Sequence, residues 1–294
     1  GHFKFVYTGL YPVFEINTDI NANGQKRYLY KNGGKLAIQN TGNVDVNLDV
    51  TAYIPFTFNS HGLYRGITPQ INWNFTNNYF TNETYNVKSY NQELTFAIQG
   101  YLMRPTAHSA IYPKWGIGLY AGTSMTPKGG DFKGNTAALY AYGYVPGLFS
   151  MHGIKLTMGY QRQWTKLFYM SNLISGPRGY KESIYADKLL TASVDYALPI
   201  YAGNLYIPSL LFVKRFQLNP FFDFANATYA YNSTAKGLSF QHYSFGATLK
   251  VDCHILGFGA PISVGVRYAR NYTEDLFVSE FKKNSVNLVL SVEL

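Results

Sequence analysis

Charge is scarce in this chain. Only 14% of its 294 residues are Asp, Glu, Lys or Arg, where soluble domains carry about 25%. Cysteine is scarcer still: Cys253 stands alone, which excludes both a disulfide framework and a thiolate metal cluster. No apolar run approaches the roughly 18 residues of a membrane-crossing helix. No stretch sustains a 3.6-residue hydrophobic period, and no shift in composition marks a domain boundary, so residues 1–294 read as one domain. Catalytic signatures are missing as well. There is no Gly-x-Ser-x-Gly elbow and no Gly-x-x-x-x-Gly-Lys phosphate loop. His2, His61, His108, His152, His242 and His254 share no ligand spacing; four of them (His61, His108, His152 and His254) fall in short connections, as interfacial polar residues rather than metal ligands. Neither a cofactor nor a metal is expected, and the chain does not read as an enzyme.

What the chain has instead is aromatic side chains, at 17%, with 27 Tyr and 27 Gly. Its hydrophobicity alternates. Val44, Val46, Leu48, Val50 and Ala52 share one face of a strand, while Asp45, Asn47, Asp49 and Thr51 share the other. Ile154, Leu156, Met158 and Tyr160 alternate with Lys155, Thr157, Gly159 and Gln161, and Val286, Leu288 and Leu290 alternate with Asn287 and Ser291. Gly116-Ile-Gly118 lies inside such a pattern, where glycine lets neighbouring chains approach closely. About thirteen segments of this kind are expected, at the ~10-residue spacing of membrane-spanning strands. They are joined alternately by long hydrophilic stretches, such as 21–42, and by short links bearing Pro and Gly, such as 146–152. Long connections on one side and short ones on the other are the rhythm of outer-membrane barrels. The expected fold is therefore an all-β antiparallel transmembrane barrel, apolar face to lipid and polar face to water.

A net charge of +9 carries two readings. Nucleic-acid binding calls for a basic stripe, and these cations are scattered, so no nucleic-acid partner is expected. Scatter fits lipopolysaccharide phosphates at an outer surface, or ion pairs on the watered face. Gly1-His2-Phe3-Lys4 does not read as a signal peptide, which export would need, so the expected start is either a mature end or a cut. An odd number of strands ending in the periplasm would also start the chain at the outer surface. The expectation is that at least one strand precedes residue 1.

One segment stands out as a candidate site: Ser175-Gly176-Pro177-Arg178-Gly179-Tyr180, in a polar stretch between two alternating runs. Pro177 stiffens the approach to Arg178 and Gly179 frees the exit. A buried guanidinium requires carboxylates, and Asp195 and Asp223 lie on the strands that follow. The alternative is an exposed turn with Arg178 in solvent.

The order of these features, an Arg-Gly-aromatic loop, an acidic strand ending in Leu198-Pro199, then Phe221-Phe222-Asp223 and three more strands, resembles the BamA-type superfamily. That superfamily includes outer-membrane assembly barrels and two-partner-secretion translocators. Pro177, Asp195 and Ala225 depart from the Val or Ile, Glu and Gly usual at those positions. The motif covers roughly the last 120 residues. In texture the whole chain is similar to the C-terminal barrels of large Bacteroidota outer-membrane proteins that begin with a propeller-like domain. The resemblance implies a Gram-negative outer-membrane location and sixteen strands, of which the first lie before residue 1. It implies a sixth loop folded into the lumen, with Arg178, Gly179 and Tyr180 locked against Asp195 and Asp223. It also implies insertion or translocation of proteins, with outer-membrane lipid, lipopolysaccharide and other outer-membrane or periplasmic proteins as partners. Two alternatives stay open: an anchor for a preceding domain, which would hold any catalytic activity, or a diffusion pore whose wet face carries Asp45, Asp49, Lys155 and Arg267.

Overall fold

The structure, a computed structural model, describes residues 1–9, 11–21, 25–28, 37–40, 44–77, 91–106, 110–127, 133–165, 169–180, 184–200, 205–207, 211–229, 237–255, 262–273 and 282–292. The described residues form strands and connections, with no helix. In chain order the strands are β1 (His2–Tyr7), β2 (Val13–Asn21), β3 (Gln25–Tyr28), β4 (Ala37–Asn40), β5 (Asp45–Tyr53) and β6 (Phe56–Thr57). Then come β7 (Tyr64–Thr76), β8 (Asn91–Met103), β9 (Gly116–Met125), β10 (Gly134–Pro146), β11 (Gly153–Thr165) and β12 (Lys188–Ile200). The last are β13 (Leu205–Ile207), β14 (Leu211–Tyr229), β15 (Leu238–Ile255), β16 (Ile262–Asn271) and β17 (Asn284–Val292).

The fold is all-β and antiparallel. One 15-stranded sheet runs β1-β2-β5-β7-β8-β9-β10-β11-β12-β14-β15-β16-β17, with β6 attached to β7 and β13 to β14. Each strand on this path pairs with its neighbour in sequence, as hairpin-connected strands do when every turn reverses the chain. Every segment predicted from alternation is a strand on the path. The structure adds β3, β4, β6 and β13, which are too short to carry an alternating signal and are held by register instead, as in Phe56↔Ile67 and Leu205↔Val213. His254 falls in β15 rather than in the connection expected there, because β15 pairs with β14 as far as Ile255; His108 lies outside the described residues. Among the described residues β1 pairs only with β2 and β17 only with β16, so closure into a barrel is not part of the observed pairing.

The two faces of the sheet have exchanged the roles usual in a soluble protein. On the outer face, Leu156, Met158 and Leu288 are 44%, 59% and 77% exposed, and Val286 and Leu290 are exposed with them. Ile154 is half-buried at the strand end. On the other face Gln161, Gln163, Asp195, Arg215, Gln217, Asp223, Asp252 and Asn271 are all buried. Residues 110–112, and 169–180 with 184–187, lie over part of that polar face. The connections at one sheet end are generally the longer, though 104–115, at the other end, exceeds 126–133 in length.

Tyrosine and glycine interlock on the polar face. A Cβ at Gly118 would collide with the ring of Tyr142, its cross-strand partner, and one at Gly66 would meet the ring of Tyr101. Glycine at these places is what allows the rings to lie down across the neighbouring strand.

Candidate functional site

Between β11 and β12, residues 169–180 and 184–187 lie on the polar face, and their backbone must be satisfied there. Two glutamines of β11 do this. The Met170 N–H donates to Gln163 Oε1 at 2.8 Å, and Gln163 Nε2 donates to the Met170 carbonyl at 3.1 Å. The Leu173 N–H donates to Gln161 Oε1 at 2.6 Å. Asn172 Nδ2 closes the loop on itself by donating to the Ile184 carbonyl at 2.8 Å. Below these bonds the loop supplies its own apolar patch. Tyr169, Ile174, Ile184 and Ala186 pack on Leu189, Ala225 and Ala227, all buried. The loop is thus a docked element rather than an exposed turn.

Arg178 lies at its far end, over β12, β14 and β15. Its Nε donates to Asp223 Oδ2 at 2.9 Å and its Nη2 to Asp223 Oδ1 at 2.6 Å, a bidentate fork. Nη1 donates to Asp195 Oδ1, and Nη2 also reaches Asp195 Oδ2 at 3.2 Å. Its own backbone N–H donates to Asp223 Oδ2 at 2.8 Å, and Ser244 Oγ donates to its carbonyl. Below the guanidinium, 3.9 Å from Cζ, is the centre of the Phe221 ring. Burial disfavours the charged guanidinium, but hydrogen bonds to Asp223 and then Asp195 outweigh it and hold Arg178 above the usual arginine range.

Gly179 and Tyr180 complete the docking. Gly179 has φ of 99°, and a Cβ there would press on Asn271, Ala269 and Ser244. Asn271 Nδ2 donates to the Gly179 carbonyl at 2.9 Å. Tyr180 stands edge-on to His242 at 5.3 Å between centroids and donates its hydroxyl to the Thr273 carbonyl at 3.2 Å. All five residues singled out from the sequence therefore meet in one place. Lys155 sits directly across β11 from Asp195, and Arg267 on β16 is within electrostatic reach of Arg178 and both carboxylates. One guanidinium facing two carboxylates leaves a negative charge, and these two cations flank it.

A second buried ion pair was not legible in the sequence. Arg215 Nε of β14 donates to Asp252 Oδ2 of β15 at 2.6 Å, with side chains 9% and 2% exposed. Asp252 also accepts from Gln217 Nε2, and from Ser263 Oγ at 2.5 Å. Arg215 Nη1 donates to the carbonyl of Ala110 at 3.0 Å. Residues 110–112 are thereby drawn over the polar face from the opposite end, and Tyr112 packs on Tyr144 at 5.4 Å. Nothing local marks Arg215 or Asp252, which meet only through the β14–β15 register.

Among the described residues no three of His, Cys, Asp and Glu converge so as to hold a metal ion. Searches of protein-family models and of curated proteins find no match to this chain.

Arg178→Ala strands two buried carboxylates and is expected to cost about 3–5 kcal/mol in equilibrium urea unfolding. Arg178→Lys recovers only part of this, because an ammonium cannot fork. Asp223→Asn should cost more than Asp195→Asn, since Asp223 alone also accepts the Arg178 backbone N–H. Arg215→Ala is expected to release segment 104–115, so that trypsin cuts after Lys114 faster than in the unaltered protein, while Arg178→Ala leaves that rate unchanged.

Proposed function

We propose that the sheet is the wall of an outer-membrane β-barrel of the BamA type, and that it acts in inserting or translocating proteins. The observation that carries this reading is the Arg178 loop, docked on the polar face by Asp195 and Asp223 of adjacent strands. This is the arrangement that the resemblance implies for a loop folded into a lumen. The inverted burial supports the membrane part of the reading. A sheet that shows Leu, Met, Val and Trp to its surroundings and hides Asp, Arg and Gln is stable where the surroundings are hydrocarbon. Exposed Trp115 and Trp164 lie toward opposite ends of the sheet, as aromatic girdles at two interfaces do. In this reading Arg178 sets whether the lumen is plugged.

Three measurements test it. Reconstituted into vesicles of brominated lipid, the protein should lose most of its tryptophan fluorescence relative to ordinary lipid; unchanged emission would rule out the membrane wall. In planar bilayers the unaltered protein should conduct little and Arg178→Ala should conduct several-fold more, while Lys114→Ala does not; high conductance without substitution would favour a plain pore. Proteoliposomes containing the chain should speed insertion of a urea-unfolded outer-membrane barrel. An unchanged insertion rate with normal conductance would leave an anchoring role in its place.

A further inference from the structure

A cavity of about 370 Å³ lies between the inner end of the Arg178 loop and strands β8, β9 and β10. Its volume is within the range of small-molecule sites, about 300–1,000 Å³. The roof is loop segment 173–175, and the wall is made by Gln99, Tyr101, Tyr120, Tyr140 and Tyr142. This lining contains no Asp, Glu, Lys, Arg or His. Lys155 beside it is already engaged over the Tyr142 and Tyr144 rings, at 5.7 and 5.9 Å from their centres, so the lining itself favours an uncharged ligand; an ionic one would lose its hydration to groups that carry no charge.

The tyrosines form a row of rings inclined to one another, by 42° between Tyr140 and Tyr142 and 71° between Tyr142 and Tyr144. Tyr140, Tyr142 and Tyr144 are successive inward residues of β10, with ring centroids 6.1 and 5.7 Å apart, and Tyr112 extends the row by 5.4 Å. Tyr142 and Tyr101 lie over glycines on the next strands, and both line the cavity. Phenol hydroxyls and the Gln99 carboxamide add donors and acceptors around these apolar faces. The wall has no free backbone edge: β8, β9 and β10 each pair on both sides. An extended polypeptide adds to a sheet through an edge, so this wall recognises its ligand through side chains alone.

We infer that this cavity is a binding site for a neutral oligosaccharide, whose rings stack on Tyr140 and Tyr142 while its hydroxyls bond to the phenols and Gln99. The apolar C–H faces and hydroxyl rim of an uncharged sugar match a wall of flat rings edged by polar, uncharged groups. The inference goes beyond the protein-handling reading and does not rest on it, since the cavity is formed by the loop and the sheet themselves.

The test uses the full chain in detergent, with saturation-transfer NMR and calorimetry on maltohexaose, cellohexaose and a neutral Gly-Ser hexapeptide. At least one sugar should bind, with saturation strongest on its ring C–H protons, and the peptide should not compete. Tyr142→Ala should weaken binding about tenfold, the scale of one lost aromatic contact. Gly118→Val, which lifts the Tyr142 ring without removing it, should weaken it comparably. Tyr142→Phe keeps the stacking face and should stay within about threefold, and it reports even if Tyr142→Ala fails to fold by circular dichroism. The inference is overturned if neither sugar binds at about 10 mM (a Kd weaker than this being worth less than 3 kcal/mol), if Tyr142→Ala binds like the unaltered protein, or if the hexapeptide takes the same site. None of these outcomes bears on bilayer conductance, so failure here and failure of the barrel reading are separable.

Discussion

Backbone pairing within the sheet leaves the inward side chains and the segments lying over them to satisfy one another. That single constraint organises the polar face. A connecting segment that docks there brings N–H and C=O groups which no strand can take, because the strands are already paired. Gln161 and Gln163 meet this demand for the Arg178 loop by offering both donor and acceptor to Met170, Asn172 and Leu173. Arg215 meets it for segment 104–115 through the Ala110 carbonyl. The apolar residues of the loop then exclude water from bonds that would be worth little in it.

Arginine is the residue the junction requires because of register. Asp223 lies opposite Ser193, and Asp195 lies opposite Phe221, so the two carboxylates are diagonal neighbours rather than a direct pair. Diagonal positions are about 7–8 Å apart. A planar guanidinium spans that gap with donors for each carboxylate, and Phe221, directly opposite Asp195 and two residues before Asp223, provides its floor. The resemblance places Glu where this chain has Asp195. The shorter side chain still reaches, because the loop descends far enough for the backbone N–H of Arg178 itself to bond Asp223.

How much of this was legible in the sequence follows from the range of each signal. Alternation of apolar and polar residues is local, so strands such as β5, β11 and β17 could be read directly, and with them the faces of Asp195 and Asp223. Pro177-Arg178-Gly179 was legible for a related reason: a stiff residue and a free one around a single cation make sense only if the cation is delivered somewhere. Arg215 and Asp252 carry no such frame. They sit far apart in sequence and become partners only when β14 and β15 align through the irregularity between Val213 and Arg215. The tyrosine–glycine pairs are similar, since Gly118 explains Tyr142 only once Tyr142↔Gly118 is a known register. Short strands β6 and β13 escaped because two or three residues cannot display a period.

Strand β14 is where these threads meet. Its polar-face row carries Arg215, Gln217, Asn219, Phe221 and Asp223 in succession, and it pairs with β15 along nearly its whole length. The two ion pairs stand roughly 26 Å apart along it, at about 3.3 Å per residue. One holds a segment from the long-connection end, the other a segment from the short-connection end. The two pairs share no hydrogen-bond partner, yet Tyr112 of the segment held by Arg215 lies within electrostatic reach of Asp195 and Arg178, so the two docked segments are in touch over the polar face. β14 is the element on which both are anchored, one through Asp223 and the other through Arg215.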